Sequence, residues 1–143
     1  MKKFILAGFI AVTALTVSMS SCKKYEDGPA FSLLTKKARI CNTWVLEQYL
    51  VGTDDQTTAF LAFAGNDYQV EINKDGSYKV TTNGNALTGT WDLGEDKDDV
   101  TFTQTSPTAS TTTARIQKLK SKELWLRETE SNGTYDYYHY KQK

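Results

Sequence analysis

Side chains that could carry covalent or acid–base chemistry are few in this chain. Its 143 residues include two cysteines, Cys22 and Cys41, and a single histidine, His139. A catalytic thiol needs a neighbouring base, and His139 is far from Cys41 in sequence. The chain also has no Gly-x-Ser-x-Gly elbow, no phosphate-binding loop and no paired metal-ligand spacing. The sequence therefore predicts a protein that is not an enzyme and holds no metal or cofactor, with Cys41 as a small buried apolar residue.

One acidic run has the composition of an ion site. The segment from Glu95 to Asp99 places four carboxyl groups around Lys97. It lacks the glycine and the distal glutamate of an EF-hand calcium loop, so we expect a solvated hairpin turn. The formal net charge of the whole chain is +0, which argues against the basic surface of a nucleic-acid-binding protein.

The N-terminal segment is typical of an export signal. Lys2 and Lys3 precede an apolar run from Phe4 to Val17, which is shorter than the roughly 20 residues needed to cross a bilayer. The sequence Met19-Ser20-Ser21-Cys22 follows and resembles the lipobox of bacterial lipoproteins. This resemblance implies cleavage before Cys22 and attachment of lipid to that cysteine. The alternative is an ordinary secreted protein with an unrelated cysteine.

The resemblance to lipoproteins also implies a location. Lys23 stands where inner-membrane lipoproteins carry an aspartate, so we expect an anchor at Cys22 in the outer membrane, facing the periplasm or the cell surface. The protein is then expected to be attached to a membrane through the lipid on Cys22. The predicted divisions are a signal peptide over residues 1–21, a lipidated cysteine and tether over residues 22–32, and one domain over residues 33–143.

Apolar periodicity indicates an all-β domain. A short helix is predicted over Ser32–Cys41, and polar and apolar residues then alternate with a period of two in eight runs. Between the first two runs, Thr57–Ala64 does not alternate and predicts a short helix or lid. The Ser/Thr-rich stretch Thr103–Thr113 predicts a long hairpin tip. The eight runs are Trp44–Leu46, Tyr68–Ile72, Tyr78–Val80, Leu87–Leu93, Val100–Phe102, Ala114–Ile116, Leu124–Leu126 and Tyr135–Tyr137.

Eight such strands can close into an up-and-down barrel or divide into a sandwich, and only closure removes unpaired edges. An immunoglobulin-like sandwich would lack its Cys–Trp–Cys signature here. Asn42-Thr43-Trp44 is similar to the Gly-x-Trp opening of lipocalins, with asparagine replacing glycine. The segments Tyr68–Tyr78, Gly89–Trp91 and Glu123–Leu126 resemble the lipocalin-like domain of lipid-anchored proteins from Gram-negative bacteria.

This second resemblance covers about residues 33 to 142 and implies an eight-stranded antiparallel up-and-down barrel with a short N-terminal helix. In lipocalins an arginine of a late strand stacks on the first-strand tryptophan and closes the base of the barrel. The resemblance therefore implies that Arg127, or else Arg115, packs on Trp44.

Inward-facing positions of the barrel are the candidate site for a small hydrophobic or amphipathic ligand. The alternative is that these large side chains fill the interior, because eight strands leave room for side chains or one small ligand. The protein would then be a non-catalytic scaffold that binds a protein or glycan through its loops and exposed aromatics, with Trp125, Tyr138 and Tyr140 on the outer face. The candidate lining residues are Val70, Ile72, Tyr78, Val80, Trp91, Phe102, Ile116, Leu126 and Tyr137.

Overall fold

A computed structural model describes residues 34–143 of the chain. The predicted signal peptide, the lipidated Cys22 and the tether all lie outside the described residues. The described elements are helices α1 (Lys36–Ile40) and α2 (Thr57–Ala64) and strands β1 (Thr43–Val51), β2 (Asp54–Asp55), β3 (Gln69–Ile72), β4 (Ser77–Thr82), β5 (Asn85–Leu93), β6 (Asp99–Ser106), β7 (Ser110–Leu119), β8 (Glu123–Thr129) and β9 (Tyr135–Gln142).

The strands form one antiparallel sheet that closes on itself. Each strand from β3 to β8 pairs with the next strand in the chain. Strand β1 pairs with β3 on one side and with β9 on the other, and this last pairing closes the sheet. The two-residue β2 only extends the end of β1. The prediction of an eight-stranded up-and-down barrel is therefore confirmed, and neither a sandwich nor an immunoglobulin-like fold is present in the described chain.

Tight turns join the strands where the sequence supplies residues that tolerate a positive φ. Asn83 and Gly84 form the two-residue connection between β4 and β5, with φ angles of 48° and 71°. The Asp67 carboxylate accepts hydrogen bonds from both backbone N–H groups, at 2.9 and 2.7 Å. This carboxylate ties the turn to the segment that follows α2.

Helix α1 covers one end of the barrel, which we call the closed end. The helix is shorter than predicted: it begins at Lys36, and its N-cap is Thr35, since the Thr35 hydroxyl accepts a bond from the Ala38 N–H. Ile40 is fully buried, and its carbonyl accepts a 2.8 Å bond from Nε1 of the fully buried Trp44. Helix and first strand are thereby joined inside the core.

The acidic run belongs to the same closed end. It forms the turn between β5 and β6 as predicted, but Asp98 is buried rather than solvated. Its carboxylate binds Lys36 of α1 at 2.8 Å and lies 3.7 Å from Arg115 of β7. Part of the predicted solvated turn is therefore an ion-paired link between α1 and the barrel.

The polar stretch Thr103–Thr113 is not a long hairpin tip. Strand β6 continues to Ser106 and β7 starts at Ser110, and the ladder pairs Gln104 with Ser110. Threonine is favoured in strands whose faces are solvated, so a polar tract of this composition can remain extended and paired. Only residues 107–109 form the turn.

Helix α2 has the predicted bounds and lies at the end of the barrel opposite α1, which we call the mouth. It follows β2 and precedes β3, and Phe60 packs on Tyr49 of β1 and on Tyr68. Phe63, three residues later in the same helix, is 85% exposed. Of the described elements, α2 therefore occupies the position of the predicted lid.

Candidate functional site

The interior of the barrel is only partly filled. A cavity of about 130 Å³ lies between the strands and extends from Trp44 toward Thr112 and Glu128 at the mouth. Its walls are mainly aliphatic and aromatic. The lining residues are Trp44, Tyr68, Val70, Ile72, Tyr78, Val80, Phe102, Thr112, Leu124, Leu126, Glu128 and Tyr140.

Six predicted candidates lie together in this lining: Val70, Ile72, Tyr78, Val80, Phe102 and Leu126. Trp91 and Ile116 face inward and are buried, but they do not reach the cavity. They belong to the packed core near the closed end, where the indole Nε1 of Trp91 donates a 2.8 Å bond to the Asn73 carbonyl. The interior is thus solid around Trp91 and Ile116 and hollow between Trp44 and the mouth.

The prediction for Tyr137 is wrong, because β9 has the opposite phase. Tyr137 lies on the outside of the barrel beside Trp125 and His139. Tyr140 is 6% exposed and lines the cavity, and Tyr138 packs against the core, so neither is the exposed aromatic that the sequence predicted. Tyrosines occupy both phases of this strand, so alternation cannot reveal which phase faces inward.

The predicted stacking of an arginine on Trp44 is absent from the described structure. Arg127 alternates with the inward Leu126 and lies instead over the ring of Tyr135, with its guanidinium carbon 4.4 Å from the ring centroid. Arg115 lies beside Asp98 and Asp99. At the closed end, α1 covers the core instead, and the indole of Trp44 donates a hydrogen bond to the Ile40 carbonyl of that helix.

Two inward carboxyl groups meet at the mouth, and the sequence analysis missed both. Glu128 of β8 pairs directly with Asp136 of β9, and Glu128 lines the cavity. Both follow the alternation of buried neighbours, Leu126 on one strand and Tyr138 on the other. A signal existed in the sequence, because Glu128 continues the inward phase of Leu124 and Leu126.

Asp136 is 7% exposed. One of its oxygens, Oδ2, accepts a 2.5 Å hydrogen bond from the Tyr49 hydroxyl, and the other, Oδ1, is buried without a hydrogen-bond partner among the described residues. Burial, reinforced by that bond, raises the pKa of Tyr49 to about 12, so the phenol remains a donor at neutral pH.

Glu128 lies in a setting that disfavours its charged form. Burial is the main cause that raises its pKa from 4.5 to about 7, and the nearby carboxylates of Glu130 and Asp136 raise it as well. No ion pair from the described chain compensates Glu128. Its protonation state is therefore sensitive to pH near neutrality, and to any cation that enters the cavity.

An aromatic cluster surrounds the mouth beneath α2. The ring of Tyr49 lies 4.9 Å from the rings of both Phe60 and Tyr138, measured between centroids. Phe60 meets Tyr68 edge to face at 5.0 Å. The hydroxyls of Tyr68 and Tyr140 lie 3.5 Å apart. Rings from two strands, one loop and one helix thus converge on the carboxyl pair.

A second cluster lies on the outside of the barrel. Trp125 stacks on His139 with 4.1 Å between ring centroids, and the Lys118 ammonium lies 3.9 Å from the centre of the indole ring. Gln48 bonds to Nδ1 of His139 at 3.0 Å, and burial lowers the pKa of this histidine. Trp125 is therefore half-buried rather than freely exposed, with shallow depressions on either side.

Cys41 is half-buried at the end of α1 and packs against the core. Burial raises the pKa of its thiol, although Lys37 and Lys74 act in the opposite direction. Residues 34–143 contain no cluster of three or more His, Cys, Asp or Glu side chains arranged to hold a metal. Within the same range, no helix is both long and apolar enough to cross a bilayer.

Similar folds are known from solved structures. A lipocalin-like protein from Bacteroides uniformis superposes with a TM-score of 0.55 at 13% identity, covering 73% of this chain and 99% of that one. A DUF4847 family protein from Bacteroides vulgatus gives a TM-score of 0.53 at 12% identity, covering 76% of this chain and 96% of that one. No protein-family description and no curated protein matches the sequence. The protein therefore has a lipocalin-like barrel, and at these identities the likeness extends to the fold alone.

Proposed function

We propose that this chain is an outer-membrane lipoprotein whose lipocalin-like barrel binds a small hydrophobic or amphipathic ligand. The observation that carries the proposal is the cavity of about 130 Å³ inside the barrel. A packed protein interior contains few voids larger than a water molecule, so a cavity of this size is a candidate ligand-binding site. Its walls combine apolar side chains with a carboxyl group and hydroxyls near the mouth, which suits a molecule with one polar end.

The size of the cavity limits the ligand. An engineered protein cavity of about 150 Å³ accommodates benzene, so this one suits a molecule of roughly six to eight heavy atoms rather than a whole lipid. Helix α2, with Phe60 against the rim, leaves a ligand partly enclosed at the mouth. The proposed activity is binding without catalysis.

The anchor is the second part of the proposal. The motif ending in Cys22 supports lipidation, and several acyl chains on one cysteine hold a protein durably on a membrane. A Cys22→Ser substitution should move the protein from the outer-membrane fraction to the soluble envelope fraction. An unchanged membrane fraction would contradict the anchor and leave the barrel's binding role untouched.

Native mass spectrometry tests the ligand. The protein released from its own envelope should carry a reproducible small-molecule adduct that disappears on unfolding. Val80→Phe, which narrows the cavity, should reduce the adduct, whereas Val45→Phe, on the outer face of β1 between Gln69 and Lys141, should retain it. A clean unliganded mass would overturn the ligand proposal.

The second candidate is a scaffold that binds a protein or glycan. It is favoured by one observation, the half-buried Trp125 between two shallow depressions on the outer face. Tryptophan in such a setting offers a large face for stacking on a sugar or a partner side chain. A Trp125→Ala variant that loses partners from outer-membrane extracts, with an unliganded barrel, would support this role.

A further inference from the structure

The cavity has an electrostatic character that a purely apolar ligand would leave unused. Glu128 supplies its only carboxyl group, and no lysine, arginine or histidine of the described chain lines it. Asp136 lies directly across the β8–β9 ladder from Glu128. Two carboxyl groups placed face to face without a cation repel each other when both are charged. The site therefore has a deficit of positive charge.

A second observation indicates that something is missing at this point. Asp136 is more than nine-tenths buried, and its Oδ1 atom has no hydrogen-bond partner within the described residues. Asp136 shares the inward phase of β9 with Tyr140, which lines the cavity. Buried carboxylate oxygens are normally satisfied by donors. This oxygen therefore leaves negative charge uncompensated directly beside Glu128, the carboxyl group that lines the cavity.

The walls around the carboxyl pair select among cations. Rings of Tyr49, Phe60, Tyr68 and Tyr138 gather at the mouth, and those of Tyr78, Phe102 and Tyr140 continue into the cavity. Ring faces attract organic ammonium groups. A calcium ion instead needs about six to eight oxygen ligands, and two carboxyl groups with a few phenol hydroxyls do not supply them.

We propose that the barrel binds a small organic cation, with its ammonium group at Glu128, beside the buried Asp136, and its apolar part in the cavity. The inference rests on the proposed ligand-binding function and specifies the chemical class of ligand. The ammonium donates to the Glu128 carboxylate and compensates the neighbouring negative charge of Asp136, while the aromatic rings cover its carbon atoms. The class comprises primary amines of roughly six to eight heavy atoms, which matches the size of the cavity.

Three probes that share a phenyl group test the charge requirement: benzylammonium, benzyl alcohol and benzoate. The full chain in its processed, lipid-bearing form is placed in zwitterionic phospholipid nanodiscs, and binding is measured by isothermal titration at about pH 8 with empty discs as the blank. We expect benzylammonium to bind at least about 10-fold more tightly than benzyl alcohol, and benzoate to bind weakest. Equal binding of the amine and the alcohol would overturn the inference and leave the ligand-binding function standing.

Two variants locate the charge. Glu128→Gln and Asp136→Asn should each reduce the preference for the amine, and Glu128→Gln should bring it to within about two-fold of the alcohol. Asparagine retains an oxygen that accepts from Tyr49, so the barrel should remain folded, as near-ultraviolet circular dichroism can check. Glu95→Gln is the matched control, because it removes one negative charge from an exposed position in the turn between β5 and β6, at the closed end.

The control must leave the preference for the amine intact. An equal loss in Glu95→Gln and Glu128→Gln would show a general attraction of cations to the surface and overturn the inference. Failure of all three probes to bind would also overturn it. The proposed ligand-binding function would fall as well only if the native mass spectrum of the envelope-derived protein showed no adduct.

Discussion

A single carboxyl group gives this barrel a dependence on pH. Glu128 is buried beside other acids, and its pKa is raised from 4.5 to about 7. Between those values the native protein holds a proton that the unfolded chain has released. The free energy of unfolding therefore falls as pH rises through this interval and levels off above it. Glu128 destabilises the empty protein in its charged form.

We predict that Glu128→Gln is more stable than the unaltered chain above pH 7, by roughly 2–3 kcal/mol, since glutamine has no charge to bury. The advantage should disappear below pH 4.5, where both side chains are neutral. Urea unfolding across this pH range measures the difference. Glu95→Gln, in the exposed turn at the closed end, should show no comparable pH-dependent gain, and a gain of equal size would contradict burial as the cause.

The sequence predicted single residues well only where one phase of a strand is apolar. Val70 and Ile72 alternate with polar neighbours, so their inward orientation could be predicted. Tyr137 and Tyr138 are chemically alike and adjacent, so periodicity alone could not assign the inward one. Asp136 and Glu128 were missed because a carboxyl group at an inward position contradicts the usual pattern of burial.

Helix α2 is an eight-residue element that is apolar on more than one side. Phe60 faces the barrel and touches three aromatic rings, while Phe63 is 85% exposed. A helix this short has little stability of its own, so contacts with the barrel must hold it in place. Phe60 is the main aromatic contact between helix and rim.

We predict that Phe60→Ala lowers the free energy of unfolding by about 2 kcal/mol, because it removes ring contacts with Tyr49, Tyr68 and Tyr138. Phe63→Ala makes the same chemical change on the exposed side of α2. It should alter stability by no more than about 0.5 kcal/mol. Denaturant titration of both variants provides the comparison, and equal losses would argue against the role assigned to Phe60.

The boundaries of helices and strands could likewise be predicted only where the sequence pattern is unambiguous. The bounds of α2 could be predicted because its residues break the alternation of the strands around it. Helix α1 was predicted too long, since the apolar spacing through Leu34 continues beyond the helix that Thr35 caps. The lengths of β6 and β7 were underestimated because the polarity of a run of threonines favours a loop, whereas the β-propensity of threonine favours a strand.

Closure of the whole barrel depends on local irregularities in its strands. The pairing register shifts at three places, between Leu46 and Gln48, between Thr88 and Gly89, and between Ile116 and Lys118. Bulges of this kind increase strand twist and bending, which a small closed sheet requires. The number of strands and the presence of turns could be predicted from sequence, but the positions of these irregularities depend on pairing across the sheet.

Gly89 lies at the register shift between β5 and β6, where the backbone of β6 leaves no room for a side chain. A Cβ atom there would lie only 2.0 Å from the Thr103 carbonyl oxygen on β6. We predict that Gly89→Ala costs about 3 kcal/mol or more in the free energy of unfolding, since backbone must move to admit the methyl group. Gly52→Ala is the control: its φ of 60° is unfavourable for alanine, but the space around it is empty, so it should cost only about 1 kcal/mol. Similar midpoints for the two variants in guanidinium would contradict this account.

The position of α1 gives the molecule an orientation. The described chain enters at the closed end, where Trp44 and Asp98 fasten α1, and the mouth opens at the opposite pole. With the proposed lipid at Cys22, the anchored segment joins the barrel at its sealed base, at the pole opposite the mouth. Membrane attachment and ligand entry would then use opposite ends of the barrel, so anchoring would not require the mouth to be covered.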